Sequence, residues 1–209
     1  MAKLKPMKVQ QTLLEQDLRV FSIHEFMRAF DVSLRAAEEY LKNHSKKEGD
    51  LFLRLKNGLY ALATRLPSEY FIANKLVQPS YVSLETVMAR HSIIPEIVYT
   101  ITSVTTKTPR EFVTRWLAFS YTQIKRSAFT GYSPVQERGF TVFIADPEKA
   151  LVDYLYIVDL KKKGLNDRLN LLNVSRRKVE SYARLFGRRS LMKLIDHVYA
   201  ESRKPREIY

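Results

Sequence analysis

Three carboxylates and one lysine lie close together near residue 150, and they are the first candidates for chemistry. Asp146, Glu148 and Asp153, with Lys149 among them, are the residue types of a metal-dependent nuclease site. Glu148 and Asp153 are five residues apart, so on a helix they are poorly aligned to share an ion. Asp146 and Glu148 also suit the start of a helix, as a capping carboxylate and an acid in the first turn. We therefore expect this cluster to be structural.

The remaining residues with catalytic chemistry follow no recognisable pattern. The four histidines have no paired spacing, and the sequence contains neither a glycine-rich phosphate loop nor a GxSxG motif. Because the chain has no cysteine, disulfides, thiolate metal sites and cysteine nucleophiles are excluded. The sequence predicts that this protein is not an enzyme and uses no cofactor or metal. The histidines are His24, His44, His91 and His197.

A second set of residues, between positions 33 and 57, has side chains suited to contact DNA. Arginine can bond to guanine through two hydrogen bonds, asparagine can do so to adenine, and glutamate can accept from cytosine. Arg35, Asn43 and a glutamate such as Glu39 are therefore candidates for base contacts. The lysines and the arginine further along suit phosphates, which position a protein without specifying sequence. The predicted DNA-contacting residues are Ser33, Arg35, Glu39, Lys42, Asn43, Lys46, Lys47, Arg54, Lys56 and Asn57.

The local sequence indicates the elements that would carry these residues. Apolar spacing after Ser22 predicts a helix over residues 23–30, and a turn leads to a second helix over 34–44, capped by Ser33. Two short strands then flank Asn57-Gly58, which predicts a hairpin with positive φ at both turn residues. With a first helix over 8–19, this order is typical of a winged helix-turn-helix, whose second helix enters the major groove.

Winged helices also serve as protein-docking modules, and Glu38 and Glu39 on the second helix favour that alternative.

The distribution of charge along the chain favours DNA as the partner. Lys and Arg exceed Asp and Glu by 4 in residues 1–66 (12 against 8) and by 9 in residues 161–209 (14 against 5), while residues 67–160 are balanced (9 against 9). These values account for the net charge of +13. Two basic ends suggest a polyanionic partner that is contacted from more than one direction.

Basic residues also open two consecutive helices near the carboxyl end, predicted over 175–186 and 188–201. Cations at a helix amino terminus oppose the helix dipole unless an anion is bound there. Guanidinium groups and free amides would then converge on one phosphate or acidic partner; the alternative is a pair of solvated helix ends. The predicted surface consists of Arg176, Arg177, Lys178, Arg188, Arg189 and Lys193.

The whole chain predicts an α+β fold in two domains. Pro67 and Ser68 interrupt the pattern after the hairpin, which predicts a winged helix-turn-helix domain at 1–66 and a mixed α+β domain at 67–209 that ends in basic helices from about residue 161. No apolar run is long enough to span a membrane and no secretion signal is present, so we expect a cytoplasmic protein.

In the second domain we expect helices at 69–77 and 84–91 (the latter capped by Ser83), strands at 97–102, 117–122 and 140–144, and a helix beginning after Asp146 with one apolar face.

Five segments carry a further signal through their order and spacing. They are KNGLY at 56–60, PSYVSLE at 79–85, HSIIPE at 91–96, residues 114–125 around FSY, and IADPEKALVD at 144–153, the most specific of them. Together they resemble the AbiEi-type antitoxins of abortive-infection toxin–antitoxin systems. The likeness covers roughly residues 10–160 and is weak after residue 165. TVM at 86–88 stands where the family usually has Ser-Ala-Leu, and Ser92 where it usually has glycine; both are packing substitutions.

This resemblance implies an antitoxin that represses its own operon through the winged helix and counters a nucleotidyltransferase-like toxin, with which it need not form a stable complex. It also implies two copies on inverted half-sites of double-stranded DNA at its own promoter. The residues themselves support the DNA-binding half, whereas the antitoxin half follows from the resemblance. The alternatives are a stand-alone winged-helix regulator whose second domain binds an effector or partner, a nuclease, and a protein-docking adaptor.

Overall fold

The computed structural model of the chain describes residues 4–114 and 117–202. These residues form eight α-helices and two β-sheets, so the fold is α+β, as predicted. None of the described helices is long and apolar enough to cross a membrane. The first part of the chain contains α1 (Pro6–Glu15), β1 (Val20–Ser22), α2 (Ile23–Phe30), α3 (Leu34–Asn43), β2 (Phe52–Lys56) and β3 (Leu59–Leu62). The second part contains α4 (Glu69–Leu76), β4 (Ser80–Val82), α5 (Leu84–Arg90), β5 (Thr100–Thr105), β6 (Arg110–Val113), β7 (Ala118–Gln123), β8 (Tyr132–Glu137), β9 (Phe140–Ala145), α6 (Pro147–Asp159), α7 (Arg176–Arg184) and α8 (Arg189–Glu201).

The six elements of the first part surround an apolar core of their own. Strands β1 and β2 both pair with β3 in antiparallel fashion, which gives the sheet order β1-β3-β2. Helix α2 begins in a capping box, in which Glu25 N donates to Ser22 Oγ (3.2 Å) and Ser22 N donates to the Glu25 carboxylate (2.7 Å). The buried members of this core are Val9, Leu13, Phe21, Phe26, Ala37, Leu41, Phe52, Tyr60 and Leu62.

Three details of the first part differ from the sequence prediction. Strand β1 was not predicted, because three residues are too few to show an alternating pattern. Helix α1 ends at Glu15 instead of continuing to 19, and Asp17 has a left-handed φ of 53° that helical geometry does not allow. In the hairpin turn only Gly58 has positive φ (71°), while Asn57 does not, and the ladder is irregular between Arg54 and Lys56. The expectation of positive φ at both turn residues was wrong.

The second part is built on a six-stranded mixed sheet in the order β6-β7-β5-β4-β9-β8. The pairs β5–β7 and β4–β9 are parallel, and the other neighbours are antiparallel. Strands β5, β7 and β9 were predicted, although β5 begins three residues later than expected, at Thr100. Strand β8 was not, because Pro134 indicated a break. It lies at the sheet edge, where a missing N–H costs no ladder bond.

Helix α6 lies at the centre of the second part and is buried on all sides. It contacts α5, α7, α8 and β9, and every residue from Glu148 to Val158 is buried. The prediction of a single apolar face was therefore wrong. The cause is tertiary: a helix covered by three other helices and a sheet has no solvent face to reserve for polar residues. Three charged residues of the helix, Glu148, Lys149 and Asp153, are buried together with the apolar ones.

The two parts are packed against each other near the predicted boundary. Val20, Leu55 and Ala61 of the first sheet belong to the same apolar cluster as the core of the second part. At the same junction the Arg19 guanidinium lies 4.8 Å from the centre of the Phe140 ring. The division into domains at residue 66 stays a prediction. The first part has its own core, and the opposite face of its sheet is buried by the second part.

Candidate nucleic-acid interface

Helix α3 presents one face to the core and the other to solvent. Ser33 caps it, since Ala36 N donates to Ser33 Oγ at 3.4 Å, and Ala37 and Leu41 are fully buried. The helical period of 3.6 residues places the intervening positions on the outer face. Apart from Leu34 at its first position, the exposed residues of α3 are Arg35, Glu38, Glu39, Lys42 and Asn43. Each of these five side chains is thus available to a partner, as the spacing predicted.

Aromatic contacts fix the position of α3 relative to α2 and the sheet. The Tyr40 ring stacks on Phe26 at a centroid distance of 5.8 Å and on His44 at 4.1 Å. Phe52 of β2 approaches Tyr40 edge-on at 6.3 Å. Burial raises the pKa of the Tyr40 hydroxyl, which keeps it neutral. Between the helices, Asp31 adopts a left-handed φ of 48° that allows the short turn. The outer face of α3 is therefore held on a rigid support.

The segment after α3 carries two of the predicted phosphate contacts. The Lys46 ammonium donates to Asn43 Oδ1 at 3.0 Å, so the Asn43 carbonyl is occupied while its amide NH₂ remains a donor. Lys47 is exposed, and its backbone N–H donates to the Asp50 carboxylate at 2.7 Å. That bond is the main cause of the lowered pKa of Asp50. The loop is thus closed by its own acid, and the Lys47 side chain points to solvent.

The two predicted phosphate-contacting cations of the hairpin, Arg54 and Lys56, have different environments. Arg54 is exposed and donates to Asn57 Oδ1 at 3.0 Å, so both side chains lie at the hairpin surface. Lys56 is half-buried, and its Nζ donates to the Leu76 carbonyl at 2.6 Å. Lys56 therefore does not project freely from the turn; its predicted phosphate contact stays a prediction. It joins the hairpin to α4 of the second part.

The second predicted surface, on α7 and α8, is only partly available. Arg176 forms ion pairs with Glu180 at 2.8 Å and with Asp196 at 2.5 Å. The ammonium of Lys178 is 3.8 Å from Glu148, and Arg188 is paired with Asp159. The other three cations are exposed and have no ion pair among the described residues: Arg177, Arg189 and Lys193.

A carboxylate of the protein lies at the start of α7, where the sequence predicted that an external anion binds. Glu148 on α6 is buried, and its Oε1 accepts a hydrogen bond of 3.2 Å from Ser175 N at the start of α7. A carboxylate is favourable at a helix amino terminus because the free N–H groups and the helix dipole both attract it. The protein thus supplies its own anion to α7, and the six predicted cations do not converge on one free site.

The three carboxylates near residue 150 all accept hydrogen bonds from other groups of the protein. Among the residues that the structure describes, no group of three or more potential ligands is arranged to hold a metal ion. Asp146 stands at the start of α6 but makes no capping bond; it accepts from Tyr182 Oη at 2.8 Å instead. Asp153 is fully buried and accepts from Ser83 Oγ at 2.8 Å. Ser83, which was expected to cap α5, donates to this carboxylate instead.

An apolar groove in the second part was not predicted from the sequence. The groove has a volume of about 1170 Å³ and runs between residues 94–98 and residues 168–174. Ile97 and Leu172, two of its lining residues, are 78% and 90% exposed. Tyr99, two residues further along, is 84% exposed. An exposed apolar patch beside a groove indicates a contact surface, and the only sequence signal was the unremarkable run of apolar residues before β5.

The sequence was compared with known protein families and with curated proteins. Neither protein-family models nor curated proteins match this chain.

Proposed function

We propose that this protein binds double-stranded DNA through a winged helix-turn-helix formed by the first part of the chain. Helix α3 would lie in the major groove, and the β2–β3 hairpin would contact the adjacent backbone as the wing. The support is the order of elements, two short helices joined by a tight turn and followed by an antiparallel hairpin. This order presents one helix outward on a small, separate core, which is the arrangement that groove binding requires.

The exposed face of α3 is the single observation that carries this proposal. Arg35, Lys42 and Asn43 offer donors for base edges or phosphates, and all three are exposed. Glu38 and Glu39 on the same face reduce the positive charge, and a carboxylate can accept from cytosine. This mixture favours a site that selects sequence over one that only attracts phosphate. Lys47 and Arg54 would supply the phosphate contacts that position the helix.

We further propose that the protein acts as an antitoxin that represses its own operon, with two copies on inverted half-sites of its promoter. This part of the proposal rests on the resemblance of segments 56–60 and 144–153, among others, to AbiEi-type antitoxins. The second part of the chain would counter a nucleotidyltransferase-like toxin, with or without direct binding. The two activities would then belong to different parts of the chain.

The second candidate function is a stand-alone regulator whose second part binds an effector or a protein partner. The observation in its favour is the groove with exposed Ile97 and Leu172, since a surface of this kind is suited to an apolar ligand or a protein segment. An antitoxin that acts without binding its toxin would not need the groove. A gene for a nucleotidyltransferase beside this one would favour the antitoxin.

The decisive experiment is a binding titration at several salt concentrations. It compares a duplex from upstream of the protein's own gene with a scrambled duplex, using the wild type, Arg35→Ala and Arg138→Ala. Arg138 is a matched control, because it is an exposed cation of the second part whose nearest acid is Glu69 at 3.9 Å. We expect preference for the upstream duplex and a loss of affinity in Arg35→Ala alone. Equal, salt-sensitive binding to both duplexes would mean that the protein attracts polyanions without selecting a sequence.

The antitoxin proposal is tested separately by co-expression, in growing cells, with a nucleotidyltransferase-like protein encoded beside this one. We expect growth to be restored by the wild type and also by Arg35→Ala, because the DNA-contacting face would not be needed for neutralisation. Failure of both proteins to restore growth would overturn the antitoxin proposal and favour the stand-alone regulator. The DNA-binding proposal would not be affected by that result.

A further inference from the structure

We propose that Lys56, Lys107 and Arg110 form a phosphate-binding surface at the junction of the two parts, which extends the DNA contact from the hairpin onto the turn between β5 and β6. This inference rests on the proposed DNA binding and adds a contribution from the second part of the chain. In this arrangement the second part of the chain also contacts the DNA. It holds the DNA backbone beside the half-site that α3 contacts.

The position of Lys56 is the first observation. Its Nζ donates to the Leu76 carbonyl at 2.6 Å and lies 6.0 Å from the centre of the Phe112 ring on β6. Successive side chains of a strand point to opposite faces, so Arg110 shares a face of β6 with Phe112, and Glu111 points to the other face. Lys56 and Arg110 are therefore on the same side of this edge strand, without the neighbouring acid between them.

The charges around Lys56 are the second observation. Partial burial is the largest cause of its lowered pKa, and the positive charges of Arg110 and Lys107 add to the effect. Lys107 and Arg110 are both exposed. Among the described residues, neither they nor Lys56 forms an ion pair with a carboxylate. Three cations thus lie close together, and none of the described acids neutralises them.

Hydrogen bonds to neighbouring segments hold the turn that carries Lys107 in place. Lys107 N donates to Thr105 Oγ1 at 3.2 Å, and Thr105 Oγ1 donates in turn to the Pro79 carbonyl at 2.7 Å. Gln123 on β7 contacts the Thr106 carbonyl at 3.4 Å. A like-charge cluster on a fixed turn is unfavourable by itself and becomes favourable when phosphates bring the missing negative charge.

A nearby lysine, in contrast, acts on an acid of the protein. Lys75 on α4 is exposed, and its charge helps to lower the pKa of Glu25 at the start of α2. It therefore already has an acid of the protein as its electrostatic partner. The charges that shift the pKa of Lys56 are both positive, so we assign the phosphate surface to Lys56, Lys107 and Arg110 and leave Lys75 outside it.

The test measures how DNA affinity depends on salt concentration in the wild type and in two double variants. Lys107→Ala/Arg110→Ala removes both exposed charges, and Lys107→Arg/Arg110→Lys keeps both. Each phosphate contact contributes about one unit to the slope of log affinity against log salt concentration. We expect the alanine variant to have a slope smaller by about two units, while its preference for the upstream duplex over the scrambled one is retained. The charge-keeping variant should match the wild type.

The outcomes separate this inference from the proposed function. If the wild type binds the upstream duplex and the alanine variant has the same slope, the junction does not contact DNA and this inference is wrong, while the proposed function stands. If the wild type binds no duplex, both are wrong. If the charge-keeping variant also loses the two units, the positions act through packing and not through charge, which again overturns the inference. Circular dichroism of each variant shows that the fold is retained.

Discussion

The Lys149 ammonium and the Asp153 carboxylate, one turn apart on α6, form an ion pair in which neither side chain is exposed to solvent. Asp153 also accepts hydrogen bonds from Tyr81 Oη at 3.0 Å and from Ser83 Oγ at 2.8 Å. Lys149 Nζ also lies 5.6 Å from the centre of the Tyr81 ring and 5.2 Å from the centre of the Phe186 ring. Burial lowers the pKa of Lys149 and raises that of Asp153, and each charge opposes the effect of burial on the other.

The first prediction concerns the cost of breaking this pair. Lys149→Met should reduce the free energy of unfolding by about 3–5 kcal/mol, because it leaves a buried carboxylate without a counter-charge. Lys149→Met/Asp153→Asn should recover much of this loss, since the amide oxygen can still accept from Tyr81 and Ser83 without a charge. Urea unfolding of the wild type and both variants provides the comparison. A loss below about 1 kcal/mol in the single variant would show that the pair is not ionised in the core.

The second prediction is a pH dependence at the capping box of α2. Partial burial raises the pKa of Glu25, but the hydrogen bonds from Ser22 and the charges of Lys75 and Arg28 outweigh it, so the net pKa is lowered. A carboxylate with a lowered folded-state pKa stabilises the fold above its unfolded pKa, and this contribution is lost as the pH falls through the folded value.

The test of this prediction compares the wild type with Glu25→Gln. At pH 7 we expect the variant to be less stable by about 0.3–1 kcal/mol, because glutamine can still accept from Ser22 N but lacks the negative charge that the helix amino terminus favours. The difference should shrink as the pH falls below about 4, where the carboxylate becomes protonated. Thermal unfolding between pH 7 and pH 3 measures this difference, with Glu39→Gln on exposed α3 as the control. A difference that is unchanged at pH 3 would contradict the role of the charge.

The third prediction uses two glycines with similar backbone conformations. Gly131 and Gly139 have φ of 75° and 84°, so alanine at either position adopts a left-handed conformation that costs about 1–2 kcal/mol. At Gly131 a Cβ would lie 2.7 Å from the Tyr182 ring and 3.0 Å from Lys149 Cγ, whereas at Gly139 it would meet nothing within 4 Å. Gly131→Ala should therefore be the more destabilising by about 1–3 kcal/mol, the usual cost of overpacking. Equal losses by urea unfolding would mean that Tyr182 can move aside.

The fourth prediction separates base contacts from phosphate contacts. Arg35→Ala should reduce the preference for the upstream duplex over a scrambled duplex by about 1–3 kcal/mol, the usual value of a bidentate contact to guanine. Lys47→Ala should weaken binding to both duplexes alike, because a phosphate contact carries no sequence information. Competition binding at fixed salt measures both effects. An equal effect of Arg35→Ala on the two duplexes would place Arg35 on the backbone.

Much of the first part could be predicted from the sequence because its signals are local. The caps at Ser22 and Ser33 lie within three residues of the amides they accept from, and the apolar spacing of α2 and α3 repeats within a few turns. The hairpin position was marked by Asn57-Gly58. The prediction that failed there was the backbone conformation of the turn, which depends on how β2 and β3 pair.

The second part was predicted less well because short strands and a buried helix leave little pattern. Strand β4 has three residues and is buried on both faces, so it shows no alternation. Helix α6 carries Lys149 and Asp153 at a spacing of four, which suggests an ion pair on an exposed helix face as readily as one in a core. Only the packing of other elements around α6 distinguishes the two.

The sequence by itself determined the order of α1, α2, α3, β2 and β3 in the first part, the outward position of Arg35 and Lys42 on α3, and the unequal distribution of charge. These features depend on the chemistry and spacing of neighbouring residues. Only the tertiary structure decided that Ser83 donates to Asp153, 70 residues away, and that Lys56 is bound at Leu76, 20 residues away. A hydroxyl or an ammonium can bond to many acceptors, and the fold determines which of them is within reach.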